Sequence, residues 1–349
     1  MEIDKKKLKN IFPISASSKF AFLNYKKNKA RVKSLKRLCE NSDISYDGME
    51  DSSIVSINDG IKFPIRLDVP DFAKLIAAAE NEGHLETGKY LFEYYNKDLI
   101  LHKIVRMCIF KMFGKITNFP KLRGNALRTY SYGTVTRALF KAGVAVGDKP
   151  LANPKLSYII KDNPQFAKYY FSQTLAEEAC TSFRFKKRMY LSLSIKYGRS
   201  VDVTEILTKN FKKQLENEQV PFKKLPANVQ DAIKKKPPLI IKEEKELLES
   251  VGISCYLRPA FVYKIKKRGC VRTHWTLVIE KTKSVELFYK NFRLITDVED
   301  TPIKVKEFSE KFRIWKEYKG RKLDENEIML IKNASDEWSK IKKGGVPAT

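Results

Sequence analysis

Two nonapeptides hold the residues of this chain best suited to chemistry: Leu75-Ile76-Ala77-Ala78-Ala79-Glu80-Asn81-Glu82-Gly83 and Phe171-Ser172-Gln173-Thr174-Leu175-Ala176-Glu177-Glu178-Ala179. Each reads as a helix of small and apolar residues that ends in an acid. A carboxylate there faces the negative end of the helix macrodipole, so its position costs free energy. Leu75, Ala78 and Glu82 stand at i, i+3 and i+7; Phe171, Leu175 and Glu178 stand at i, i+4 and i+7. Each final acid therefore lies on the apolar stripe of its helix, while Glu80 and Glu177 point elsewhere. Small residues such as Ala77, Ala78, Ser172 and Thr174 allow two helix backbones to approach closely. If the helices pack parallel, Glu82 and Glu178 meet at one end. Two carboxylates that close repel unless a divalent cation bridges them. Oxygen ligands with water and phosphate suit Mg²⁺, so Mg²⁺ is the expected cofactor, with Mn²⁺ as a substitute. The alternative is two ordinary helices whose last acids are solvated.

These acids sit in a basic chain. In 349 residues, 68 Lys and Arg against 41 Asp and Glu leave a formal net charge of +27. That excess favours a polyanion, nucleic acid before a membrane surface, because no amphipathic helix concentrates the basic residues. A lysine-rich solvating surface is the other reading. The chain is 43% hydrophobic with 21 Phe and 16 Tyr, enough to bury a core and to exclude a disordered arm. Cys39, Cys108, Cys180, Cys255 and Cys270 are scattered, odd in number and without a CxxC. They supply neither a zinc site nor a disulfide framework and fit a reducing interior. No signal peptide or long apolar span is visible, so a cytoplasmic monomer without a membrane partner is expected.

The elements that must position the acids come in a repeated order. Residues 1–65 form a basic helical region; its stretch 30–39 reads equally as part of a helix-turn-helix-like piece or as a solvated charged helix. Residues 66–146 read as αββαββα. They begin with a helix over 68–82 that Gly83 closes with a left-handed cap. A hairpin over 84–95 follows, then a helix capped by Asn96, strands at 116–119 and 126–130, and a helix at 134–142. A linker spans 147–158. Residues 159–298 repeat the order with an insertion at 198–240 that includes a helix at 204–217. In strand 188–196, Met189, Leu191, Leu193 and Ile195 alternate with Tyr190, Ser192, Ser194 and Lys196, as a half-buried sheet requires. A long hairpin over 256–280 turns at Arg268-Gly269. The tail 299–349 is charged and partly helical, with Trp315 as its anchor. The fold class is α+β: two pseudo-symmetric repeats with a small helical N-terminal region.

Both nonapeptides, this order, and the run from Tyr90 through Asp98 to Phe113-Gly114 resemble the LAGLIDADG homing endonucleases, in particular single-chain, two-repeat members of archaeal type. Ala145 through Pro154 resembles the linker of that group. The resemblance covers roughly residues 60–295. It implies a saddle of two four-stranded antiparallel sheets on the DNA major groove, with the paired helices as its axis. It further implies that Glu82 and Glu178 bind Mg²⁺ at two scissile phosphates, and that the reaction is phosphodiester hydrolysis by water. The family places a basic residue after each repeat's last strand. Lys283 holds that place in the second repeat, and Tyr132 holds it in the first. Glu82 replaces the commoner Asp, and Ala179 stands where Gly is usual.

The sheets are expected to supply the DNA face. Arg272, His274 and Thr276 alternate with Val271, Thr273 and Trp275; Lys264 and Lys266 share a side of the partner strand, and Ser192, Ser194 and Lys196 line another. A two-stranded ribbon fits the major groove, where Arg, Lys and His donate to guanine or phosphate. Solvent-exposed sheet charge is the alternative for these residues. His84 is tempting as a base and equally reads as a surface histidine. The sequence thus reads as a site-specific double-strand DNA endonuclease. The alternative is a cleavage-deficient DNA-binding regulator or a maturase acting on intron RNA.

Overall fold

Pro70 starts the first helix, because a proline in the first turn lacks an N–H that would have no partner there anyway. The computed structural model describes residues 67–86, 88, 90–114, 117, 119–187, 189–207, 219–265, 268–292 and 300–344. The N-terminal region 1–65 and residues 208–217 of the helix expected at 204–217 lie outside the described residues; its start, Thr204–Ile206, is a 3-10 turn. Helix α1 is Pro70–Asn81, Glu82 is its C-cap in α-like geometry, and Gly83 opens strand β1, Gly83–Glu86. The left-handed cap expected at Gly83 is not what this glycine provides. Its φ is not positive, whereas a Cβ there would lie 2.6 Å from Ala79 Cα and 2.8 Å from Ala79 O. The chain turns so tightly under the helix that no side chain fits.

Strand β2, Leu91–Asn96, pairs with β1. Helix α2, Leu99–Phe113, is capped by Asp98, whose Oδ1 accepts from Ile100 N at 2.9 Å; Asn96, the expected cap, accepts from Asp98 N instead. Strands β3, Lys121–Arg123, and β4, Ala126–Tyr132, and helix α3, Thr134–Lys141, complete the first repeat. Residues 116 and 118 of the strand expected at 116–119 lie outside the described residues; the strand beside β4 is β3, beyond Pro120. Short helices α4, Lys149–Ala152, and α5, Tyr158–Lys161, lie in the linker. The second repeat is α6, Ala167–Glu177; β5, Cys180–Lys186; β6, Tyr190–Asp202; β7, Val220–Pro221; α7, Ala227–Lys234; α8, Leu239–Ser250; β8, Tyr256–Ile265; β9, Cys270–Ile279; and α9, Thr282–Phe292. Strand β6 runs well past residue 196, into what read as insertion. Two helices follow, α10, Ile303–Tyr318, and α11, Glu325–Gly344.

The antiparallel sheets have orders β1-β2-β4-β3 and β5-β6-β9-β8-β7. The four outer-to-outer positions correspond, and β7 is an extra edge from the insertion. This is the α+β architecture of two repeats that the sequence implied. Between the sheets, α1 and α6 pack together on Phe72, Leu75, Ile76, Ala77, Ala78, Phe171 and Leu175, all essentially inaccessible. Each large apolar side chain buried there contributes about 1.5–3 kcal/mol. Helix α10 adds Val305, Phe308, Phe312 and Trp315 to the same core. The insertion makes a second, smaller core, with Phe222, Leu225, Val229 and Ile233 against Val262, Val271 and Trp275. Among the described residues no helix is long and apolar enough to cross a membrane.

Candidate functional site

The parallel ends of α1 and α6 bring Glu82 and Glu178 into one electrostatic neighbourhood. Each is the C-cap of its helix, with φ, ψ of −104°, −1° and −113°, −27°. Neither cap is left-handed, and Ala179 likewise has no positive φ. The demand on the residue after the acid is therefore space. It is severe at Gly83, whereas Ala179 accommodates its methyl group. Burial, followed by the charges of Glu178 and Glu177, pushes Glu82 up to about 8, with Lys304 and Lys149 opposing.

Glu80 and Glu177 do not point away, contrary to the single-helix arithmetic. Glu177 is buried between the helices and accepts from Asn81 Nδ2 at 2.6 Å, Gln173 Nε2 at 2.7 Å and Tyr94 OH at 2.7 Å. Burial raises it to about 7 against those bonds. Asn81 also accepts from Arg199 Nη2 at 2.5 Å, and Arg199 pairs with buried Glu244 at 2.8 Å. Asn81 and Glu177 occupy the same place in the two nonapeptides. That correspondence was visible in the sequence and marks them as partners across the helix pair.

Two lysines hold the helix ends. Lys149 Nζ donates to Glu80 O at 3.0 Å and Asn81 O at 3.4 Å, and Lys304 Nζ donates to Glu177 O. Cations at a helix C-terminus are favoured by its dipole and satisfy its last carbonyls. Burial and Arg199 push Lys149 down to about 8, against Glu80, Glu178 and Glu82. Neither lysine was expected, because the linker and tail have no periodicity to reveal them. Lys283, which the resemblance singled out, is exposed in the first turn of α9. Lys304 and Lys149 are the cations whose charge is felt at Glu82.

A cavity of about 180 Å³ opens beside the acids, lined by Lys149, Glu178, Arg199 and Tyr263 among others. A wider cleft of about 610 Å³ runs alongside, past His84, Asp148, Lys149, Lys264, Arg268 and Arg272. Arg268 and Arg272 both pair with Asp148, which ties the hairpin to the linker. Among the described residues no group of three or more His, Cys, Asp or Glu could hold a metal. The donor set at the helix ends is two carboxylates. That number fits Mg²⁺, which keeps several waters and takes one or two carboxylates together with phosphate oxygens.

Cross-strand partners share a sheet face, so the register sorts the expected DNA contacts. Opposite Arg272 and His274 stand Asp202 and Ser200 on one side, Tyr263 and Phe261 on the other. Lys264 pairs with Val271, so it lies on the other face from Arg272. Lys266 lies outside the described residues. His274 stacks on Phe261 at 4.8 Å and sits so close over Gly198 that a Cβ there would be 2.2 Å from its Nε2. Burial lowers its affinity for a proton, opposed by Glu178. Ser194 is inaccessible and shares a 2.9 Å bond with Ser182 Oγ, so it braces strands; Ser192 donates to Arg184 O and Lys196 to Ser182 Oγ. The same face carries Arg184 and Arg258, and the first sheet carries Lys121, Arg123 and Arg128 around Glu93. His84 stands opposite Glu93 on β1.

No family model matches this chain, and no curated protein matches it in sequence. Similar solved structures include meganuclease I-SmaMI bound to uncleaveable DNA, at 8% identity over 78% of this chain and 99% of that one, with a TM-score of 0.41. LAGLIDADG meganuclease I-AabMI bound to uncleaved DNA is similar at 12% identity, over 77% and 98% of the two chains, with a TM-score of 0.40. Full-length DUF199/WhiA from Thermatoga maritima is similar at 8% identity over 76% of this chain, with a TM-score of 0.39. In that case the match spans 66% of the other chain, just under two thirds of its length.

Proposed function

We propose that this protein binds duplex DNA along the basic faces of its two sheets and hydrolyses one phosphodiester in each strand at the ends of α1 and α6. The observation that carries this reading is that Glu82 and Glu178 cap two helices packed side by side, where the charge of Glu178 adds to burial in raising Glu82. Such a pair is costly to keep unless a bound cation or substrate uses it. Glu82 and Glu178 would hold Mg²⁺ or Mn²⁺, which when bound supplies a polarised water and neutralises phosphate charge. Hydrolysis adds one water across a P–O bond: the water oxygen joins phosphorus, and the leaving sugar oxygen takes up a proton. The chain's own contribution is orientation. Asn81, Gln173 and Tyr94 fix Glu177 and thereby the spacing of the helix ends, and Arg184, Lys196, Arg258 and Arg272 supply positive charge for the duplex backbone.

The test is incubation with Mg²⁺ and a library of duplex DNA fragments, including the locus that flanks the protein's own gene. Discrete double-strand cuts are expected. Glu178→Gln should abolish cutting while leaving DNA affinity equal or higher, because a negative charge near phosphates is removed. A Glu178→Gln protein that cuts at the wild-type rate would refute the assignment of the acids. A second reading, a DNA-binding regulator or RNA maturase without cleavage, is favoured by one observation: two lysine ammonium groups already reach the helix ends. It prevails if wild type binds nucleic acid but cuts nothing with Mg²⁺ or Mn²⁺.

A further inference from the structure

The cavity of about 180 Å³ beside Glu178 is built partly by the linker, a segment that occurs once in the chain, so it is a single site rather than one of a pair. Pro150 and Pro154 come from the linker, and Pro238 is the residue before α8. Their rings lock the backbone dihedral φ, so these walls are set before any ligand arrives. Asn153 Oδ1 accepts from Leu239 N at 2.9 Å and clamps the linker to the start of α8. Tyr263 adds an aromatic ring to the lining, and its OH donates to Ser200 Oγ at 3.2 Å, which fixes its tilt. Tyr263 is also the cross-strand partner of Arg272, on the sheet face proposed to meet the duplex, so the cavity and that face share a wall.

The lining sets the chemistry of the ligand. Cavities for drug-sized molecules measure about 300–1,000 Å³, so this one takes a flat ring system and leaves the rest of its ligand outside. The proline and tyrosine rings offer apolar faces, whereas Glu178 accepts hydrogen bonds and Arg199 donates them. Arg199 gives Nη2 to Asn81 and Glu244, but its Nε is buried without a partner among the described residues. A buried donor left unpaired costs free energy unless a ligand or a water takes it up. A nucleobase is a planar ring with donors and acceptors along its edge, and it stacks on aromatic side chains. We propose that the cavity is a pocket for a single nucleobase, stacked on Tyr263 and met at its edge by Arg199. The base comes either from the bound duplex, turned out of its stack, or from a free nucleotide. In the first case the proposal rests on the DNA reading, and the everted nucleotide adjoins the phosphate that Glu178 serves. Turning a base out costs its pairing and stacking, least at a mismatch.

The experiment uses the full chain and the duplex it binds most tightly from the fragment library, with 2-aminopurine substituted at one position at a time. This base analogue brightens when it leaves the stack. On binding to wild type, its fluorescence should rise severalfold at a single position of one strand. Tyr263→Ala should lose the rise and Tyr263→Phe should keep it. Ala145→Phe fills the cavity from another wall; it should lose the rise as well, and it serves as the test if the alanine variant fails to fold. Equilibrium dialysis with adenosine, guanosine, cytidine and thymidine tests the free source. Saturable uptake of one nucleoside per chain, weakened about tenfold or more by Tyr263→Ala, assigns the pocket to a free nucleotide. A wild type that binds the duplex with every position still stacked and takes up no nucleoside overturns the proposal. So does a rise or an uptake that Tyr263→Ala and Ala145→Phe both leave unchanged. A wild type that binds no duplex defeats the DNA reading, and the nucleoside arm alone then decides the pocket.

Discussion

Replacing Glu80 by Gln should stabilise the protein at alkaline pH and leave it unchanged at acid pH. The phenol of Tyr170 lies 2.7 Å from Glu80 Oε2 and 2.7 Å from Glu244 Oε1. It has one proton, so it can donate to only one of them; the other contact is a hydrogen bond only if that carboxyl brings its own proton. Arg199 stands 2.8 Å from Glu244 Oε1. Tyr170 donates to Glu80 when that carboxyl is ionised, and burial favours the protonated form, which can return the bond; the other Glu80 oxygen accepts from Ser157 N at 3.3 Å. Burial is the largest cause that lifts Glu80 from 4.5 to about 7, and the Glu244 charge adds to it. The sign follows from proton counting. Between these values the folded state holds a proton that the unfolded chain has released, so stability is full below 4.5, falls as pH rises to about 7, and is flat above. Each tenfold change in proton affinity is worth about 1.4 kcal/mol, which makes the total loss roughly 3 kcal/mol. Gln copies the shape and donor pattern of the protonated acid and escapes this loss. Urea unfolding followed by tryptophan fluorescence, at a series of pH values, measures the difference. A Glu80→Gln protein that is less stable than wild type at alkaline pH, or whose advantage does not change with pH, would refute the reasoning.

Three further outcomes are expected. Gly83→Ala should cost about 1–3 kcal/mol, because the new methyl meets backbone atoms that cannot swing aside, whereas Ala179→Gly should cost no more than the roughly 1 kcal/mol of added chain entropy; thermal melts of the two variants compare them directly. Asp98→Ala removes the acceptor for both Ile100 N and Ile303 N, so two helix starts lose their caps at about 1 kcal/mol each, readable as a drop in the urea midpoint. Affinity for duplex DNA should fall linearly on a plot of log K against log salt, with a slope of about −0.9 for each phosphate contacted; a flat titration would exclude a phosphate-dominated interface.

The two helix-end acids were legible because their position depends only on helical spacing and on one surface of small residues. Glu80 and Glu177 were misjudged because a periodicity taken on one helix ignores what lies above it: Tyr170, Tyr94 and Asn81 reach in from neighbouring turns and strands. Gly83 was read as a left-handed cap, whereas the constraint there is the contact with Ala79. The pairing of Lys264 with Val271 depends on the length of the turn, and a register irregularity between Pro259 and Phe261 re-aims the rest of that strand; neither leaves a mark in an alternating pattern. A strand was expected at 116–119, of which 116 and 118 lie outside the described residues, while the strand beside β4 is the short, exposed Lys121–Arg123. Lys149 and Lys304 were beyond reach, since a single lysine in a charged, aperiodic segment looks like every other.

The bond from Ile303 N to Asp98 Oδ2 joins residues 205 positions apart. Thermodynamically such a distance matters little, because closing a loop twice as long costs only about 0.6 kcal/mol more. Kinetically it matters a great deal. A chain made from its N-terminus folds its early parts first, and contacts between remote residues form slowly. The first repeat, with Asp98 waiting at the start of α2, emerges long before α10 does. Both sheets and both central helices can be in place on a growing chain whose α10 is still unmade. The protein therefore gains this tie, and with it the lysine at the end of α6, only after both repeats have been made.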